Sequence, residues 1–202
     1  MKIPEDWVLL NTVSHKDIKP FVKECLEVKG LYKTLYIILV FSSIAFLGGI
    51  ITYTAIRFWR NDESYGLLQF ISAFLFSVSA LVVIHELIHA LAYKLKGANH
   101  IYFGANLKKF VFYAASDGDI INGKDFKFVA LAPFVVITAV NLVLIGFIPA
   151  YKLFFLTIIA THTMFCGGDF AMVNFISQYP LRKIFTFDVR QAKESYFYLS
   201  EK

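Results

Sequence analysis

His85-Glu86-Leu87-Ile88-His89 carries the residue types and spacing of a zinc site. On a helix, histidines four residues apart stack on one face about a turn from each other, where both can bind one divalent ion. Glu86 lies about a quarter-turn away, within reach of a water at that ion but badly placed to be a third ligand from the same helix. The chemistry this predicts is metal-assisted hydrolysis, with Glu86 as general base. The flanks from Phe74 to Ile84 and from Ala90 to Tyr93 carry no charge. Ionisable side chains in such a segment cost on the order of 2.5–3.5 kcal/mol each at a bilayer centre, so three together require a partner, and a divalent cation is one. The plainer alternative is a pair of core histidines bonded to other helices, with Glu86 paired to a base.

Catalytic zinc takes three protein ligands and keeps one position open. The third ligand must come from elsewhere in the chain. Asp169, in Cys166-Gly167-Gly168-Asp169-Phe170, is a lone carboxylate in an otherwise uncharged stretch and is the first choice. The two glycines before it allow close backbone approach or deformation of the helix. His162 is the competitor, seven residues earlier and about 10 Å away along an unbroken helix, so the two share one ion only if that helix breaks. His162 otherwise reads as a cavity group supporting the site or as a core histidine. His100 reads as a marker of the membrane interface. Asn141 reads either as a cavity-lining residue or as a bond to another helix.

The elements that must hold these residues are set by composition. Of 202 residues, 57% are hydrophobic, and the mean hydropathy is +0.60, above the range of soluble domains. The expected fold is an all-α membrane protein of about four transmembrane helices: Leu35 to Ile56, Leu67 to Tyr93, Phe128 to Ile148, and Leu153 to about Ile176. A small interfacial β-hairpin is expected between the second and third, where Ile101 to Ala115 is rich in aromatic and β-branched residues. Tyr102, Phe103, Phe110, Phe112 and Tyr113 would lie in the interface, with Lys108-Lys109 at the bend and turns at Asp117-Gly118 and Asn122-Gly123. The domain reading is a cytoplasmic segment 1–34, a membrane-embedded metalloprotease-like domain 35–177, and a cytoplasmic tail 178–202. No secretory signal peptide is expected, so the internal spans would direct insertion.

Lysine and arginine counts orient the chain. Residues 1–34 carry six, 95–127 five and 178 onward five, against Arg57, Arg60 and Lys152 in the alternate loops. The positive-inside bias puts both termini and the 95–127 loop in the cytoplasm, with the histidine motif toward that side of the membrane. The net charge of +5 is therefore a topology signal and not a nucleic-acid footprint. Cys25 and Cys166 are too few for a disulfide framework.

With these residues in place the chain resembles the site-2-protease class of intramembrane zinc metalloproteases. It resembles more closely a family of bacterial membrane proteins classed as putative zincin peptidases. The matching features are HELIHALAYKLKG at 85–97, the Tyr102-Phe103-Gly104 strand, Leu131-Ala132-Pro133 and Gly168-Asp169, spanning roughly residues 67–177. The resemblance implies His85 and His89 as Zn²⁺ ligands, Glu86 as the catalytic glutamate, Asp169 as the carboxylate ligand, and a bacterial cell membrane as the location. Site-2 proteases carry an Asn-Pro-Asp-Gly-like or Leu-Asp-Gly element, where this chain has Gly167-Gly168-Asp169-Phe170. The expected activity is that of a membrane-embedded zinc endopeptidase. Its partners would be the lipid bilayer and a membrane-protein or peptide substrate. The alternatives are a zinc-binding membrane protein without proteolysis and a scaffold with structural histidines.

Overall fold

The computed structural model describes residues 3–15, 18–61, 64–106 and 111–201. In chain order the elements are β1 (Trp7–Ser14), α1 (Ile18–Glu27), α2 (Leu31–Asn61), α3 (Tyr65–Ser77), α4 (Ala80–Leu95), β2 (Ile101–Asn106), β3 (Val111–Ser116) and β4 (Ile121–Asn122). They continue with α5 (Gly123–Phe147), a 3₁₀ turn at Pro149–Tyr151, α6 (Lys152–Phe165), α7 (Gly167–Ile176), β5 (Ile184–Val189) and β6 (Glu194–Ser200). Two compact units emerge. One comprises Met1–Thr34, Glu86–Pro133 and Gly168–Lys202, and the other Leu35–His85 and Phe134–Gly167.

The second unit is the more apolar. Within it α3 packs along α6, with the Phe76 and Phe154 ring centroids 6.2 Å apart. The Gln69 amide ties the far end, donating to the Ala150 carbonyl at 3.0 Å and accepting from the Phe154 N–H at 3.2 Å. Leu31–Arg60 and Gly123–Phe147 are each long and apolar enough to cross a membrane. Tyr65–Ser77 with Ala80–Leu95, and Pro149–Phe165 with Gly167–Ile176, qualify only as broken pairs. The chain is thus a mostly helical membrane protein with two to four candidate spans. The stretch from Leu67 to Tyr93, expected as one helix, is bent by 47° around Val78-Ser79. The Ser77 hydroxyl bonds the Ala73 carbonyl at 2.8 Å and the Ser79 hydroxyl the Leu75 carbonyl at 2.6 Å. Such back-bonding competes with the helical ladder and bends it.

The first unit adds what the composition hides. Among the described residues it holds an antiparallel four-stranded sheet in the order β1-β6-β5-β4, in which Trp7 faces Ser200 and Ile184 faces Leu199. An all-α fold with one hairpin therefore understates the β content, because the terminal segments pair with each other. Their inward residues join a core of Phe21, Val129, Ile176, Ile184 and Phe197. His15 Nε2 meets the Ser195 hydroxyl at 2.7 Å, and that hydroxyl also bonds Asp188. The expected hairpin is present as β2 paired with β3, from Ile101 opposite Ser116 to Asn106 opposite Val111. Its bend, with Lys108, Lys109 and Phe110, lies outside the described residues. Gly118 has φ +76 in the turn after it. Asn122, expected in a turn with Gly123, instead caps α5: its side chain accepts from the Asp125 N–H at 3.0 Å.

Candidate metal centre

Helix α4 carries the motif. Its Ala, Leu and Ile content favours helix. It ends where Gly97 takes φ +87 and the Ala98 N–H returns to the Tyr93 carbonyl at 3.1 Å. His85 and His89 therefore occupy successive turns of one helix face, as their spacing requires.

In the first unit His89 is 7% exposed and both ring nitrogens are engaged. Nδ1 lies 3.0 Å from the Val129 carbonyl of α5, and Nε2 lies 3.3 Å from Asp169 Oδ1. The first contact has a cause in the sequence. In a helix the Val129 carbonyl would accept from the N–H four residues on, but that residue is Pro133, which has none. The freed carbonyl turns to His89. Because a carbonyl only accepts, His89 carries its proton on Nδ1, and neutral imidazole then presents a lone pair on Nε2. In the neutral ring that lone pair faces a carboxylate oxygen and a cation can bridge the two; in the imidazolium Nε2–H donates to Asp169 directly. A tetrahedral zinc with bonds of about 2.0–2.2 Å separates neighbouring N and O ligands by roughly 3.4 Å. The observed 3.3 Å matches that spacing, and it is long for a charge-assisted hydrogen bond, typically about 2.7–2.9 Å. The donor set thus fits zinc.

Asp169 reaches this position because the helix breaks. Helix α6 stops at Phe165 and α7 begins at Gly167, placing Asp169 in the first turn of α7, where the helix dipole favours a carboxylate. At the break the Tyr36 hydroxyl donates to the Met164 carbonyl at 2.7 Å, and a Cβ on Gly167 would meet that hydroxyl at 2.6 Å. Glycine at 167 lets the tyrosine in. Glu86 is half-buried, and its charge acts on His89 together with that of Asp169. Two carboxylates around a buried imidazole call for positive charge there.

In the second unit, His85 Nδ1 lies 2.9 Å from His162 Nε2. Either imidazole can donate in this contact; where His85 Nδ1–H is the donor, its Nε2 keeps the lone pair. His162 is thereby placed as the group that orients His85. His100 is exposed, with Nδ1 3.7 Å from Asp119. The buried Asn141 amide donates to Ile137 of its own helix at 2.8 Å. Sequence reasoning did not reach Val129, whose contribution is a main-chain carbonyl. The signal that could have found it was Pro133, read as a vacancy in the helical ladder four residues earlier.

A family model described as "Putative zincin peptidase" matches residues 78–184, more than half of the chain. No curated protein and no solved structure matches it.

Proposed function

The chain belongs to the putative zincin peptidase family, and on that premise we propose that it is a membrane-embedded zinc endopeptidase whose ligands are His85, His89 and Asp169. The observation that carries the reading is His89, its Nδ1 bonded to the Val129 carbonyl and its Nε2 turned to Asp169 at 3.3 Å. Helical spacing brings His85 to the same face of α4, oriented through His162. Zinc at these residues supplies Lewis acidity toward a peptide carbonyl and lowers the pKa of water toward about 7. Glu86 takes the proton from the attacking water and delivers it to the leaving amine. The substrate is a membrane-associated segment that unwinds locally, since a helical peptide bond is shielded within its own turn. The lysine and arginine distribution favours the cytoplasmic side of the membrane for the reaction.

The test is the zinc content of detergent-purified protein, followed by cleavage of membrane-spanning peptides in proteoliposomes. Wild type should hold about one zinc per chain, and His85→Ala should lose it. Glu86→Gln should keep the metal and lose hydrolysis, because the amide preserves shape but cannot act as a base. A zinc-replete wild type that cleaves nothing in a broad peptide panel would support the non-proteolytic alternative. Undiminished turnover in Glu86→Gln would refute the mechanism.

A further inference from the structure

The second unit contains a further group of ligating atoms. His85, His162 and Cys166 bring one imidazole nitrogen each and a sulfur within 4.8 Å of one another. Helix α6 sets two of them: Cys166 follows His162 by four residues, and the Cys166 N–H still bonds the His162 carbonyl at 3.2 Å, so both side chains project from one face. His162 is 2% exposed and Cys166 fully buried. The sulfur lies 3.6 Å from His162 Nε2 and 3.7 Å from its Nδ1, and the same Nε2 meets His85 Nδ1 at 2.9 Å. The two rings are inclined at 61° and are not stacked, so their nitrogens can address a common point. In a tetrahedral zinc site, nitrogen and sulfur ligands at about 2.05 and 2.3 Å stand roughly 3.6 Å apart and two nitrogens roughly 3.3 Å. The sulfur, nearly equidistant from the two ring nitrogens of His162, lies beside the ring, so seating a common ion requires Cys166 Sγ to rotate toward Nε2 and the imidazoles to part by a few tenths of an ångström.

We propose that His85, His162 and Cys166 form a second cation site, a two-imidazole, one-thiolate set for a soft metal ion such as Zn²⁺, Cd²⁺ or Cu⁺, and that it excludes use of His85 in the first. The ligand chemistry selects the ion: thiolate with imidazole suits soft and borderline metals and disfavours Mg²⁺ and Ca²⁺. The exclusion follows from proton balance. A neutral imidazole has a single lone pair on nitrogen. A cation seated between His85 and His162 takes the place of the shared proton, which moves from Nδ1 to Nε2 of His85. His162 keeps its proton on Nδ1, and the Cys166 thiol releases its own to solvent. His85 then has no lone pair left for the set containing His89 and Asp169. Occupancy of the thiolate set is in this way an off state, a consequence that rests on the reading of His85 as a ligand of the peptidase zinc. The existence of the site does not depend on that reading.

The experiment is a Cd²⁺ titration of metal-free, detergent-solubilised protein in a Cys25→Ala background, following the ultraviolet thiolate-to-cadmium charge-transfer band. The band should appear in that background. It should persist when His89→Ala and Asp169→Ala are added, and vanish in Cys166→Ser, His162→Ala and His85→Ala. Absence of the band in the Cys25→Ala protein at saturating Cd²⁺ overturns the inference, and this comparison does not depend on how the other variants fold. A band that survives His162→Ala or His85→Ala overturns it as well, because sulfur would then bind metal without the imidazoles. The peptidase reading fails separately: Cys166→Ser would bind no zinc while the thiolate band of its parent remained intact.

Discussion

Replacing Pro133 with alanine should weaken zinc binding without weakening the fold. The substitution restores an N–H four residues after Val129, aimed at the carbonyl that now accepts from His89 Nδ1 at 3.0 Å. That carbonyl has two lone pairs, so the helical bond competes with His89 and does not simply abolish the contact. Loss of an outer hydrogen bond that orients a metal ligand typically costs about 10–100-fold in affinity. Partial competition places Pro133→Ala near the lower end, about tenfold, or ~1.4 kcal/mol. The fold has compensation. Pro133 is fully buried, and removing its two extra methylenes costs about 0.8 kcal/mol each. Relief of proline inside a helix is worth up to ~3 kcal/mol, and the new backbone bond about 1 kcal/mol. The assay is zinc competition against a chromophoric chelator in detergent, beside thermal unfolding of the metal-free protein. Pro133→Val, which restores the same N–H, should lose affinity in parallel. Wild-type zinc affinity in both variants, with the apo unfolding temperature unchanged or raised, would refute the account of how His89 is oriented.

In a Cys166→Ser background, which removes the thiolate set, Asp169→Ala should strip zinc, whereas His162→Ala should retain it at an affinity lowered about 10–100-fold, since His162 orients a ligand; zinc content of the two variants checks this, and the opposite pattern would replace the assignment with a three-histidine site. Acidification should loosen the turn after β3. Burial pushes the Asp119 carboxyl up, but hydrogen bonds from the Ser116 hydroxyl and the His100 and Asn99 N–H groups outweigh it and hold it below its ordinary value. A depressed carboxylate contributes stability that is present above its unfolded pKa, about 3.9, and is lost as pH falls through the lower folded value. Amide exchange at Asn99 and His100 should therefore accelerate below about pH 4 in wild type and be pH-independent, beyond intrinsic chemistry, in Asp119→Asn. For topology, single cysteines in a background lacking Cys25 and Cys166 should be shielded from an impermeant thiol reagent at the exposed Ala192 and labelled at the exposed Ser64 in intact cells; labelling at Ala192 would invert the orientation.

What could be read along the chain was whatever depends on near neighbours. The one-face placement of His85 and His89 follows from helical periodicity alone. So does the apolar length of Leu31–Arg60 and Gly123–Phe147, and the pairing of Ile101–Asn106 with Val111–Ser116 across a short bend. The deformability of the Gly167-Gly168 step was legible too, because glycine has no Cβ to resist the approach of Tyr36. The terminal sheet was not. Trp7–Ser14 pairs with Glu194–Ser200, nearly the whole chain away, and each strand taken alone is a short segment among charges that a charge count assigns to a tail. The orientation of the metal ligands escaped for a related reason. Pro133 announces that the Val129 carbonyl lacks its helical donor, but only the packing of α4 against the first turns of α5 decides that His89 fills the vacancy. Spacing specifies which side chains share a helix face. Which ring nitrogens are left to address an ion is decided by hydrogen-bond partners that lie 40 and 77 residues away.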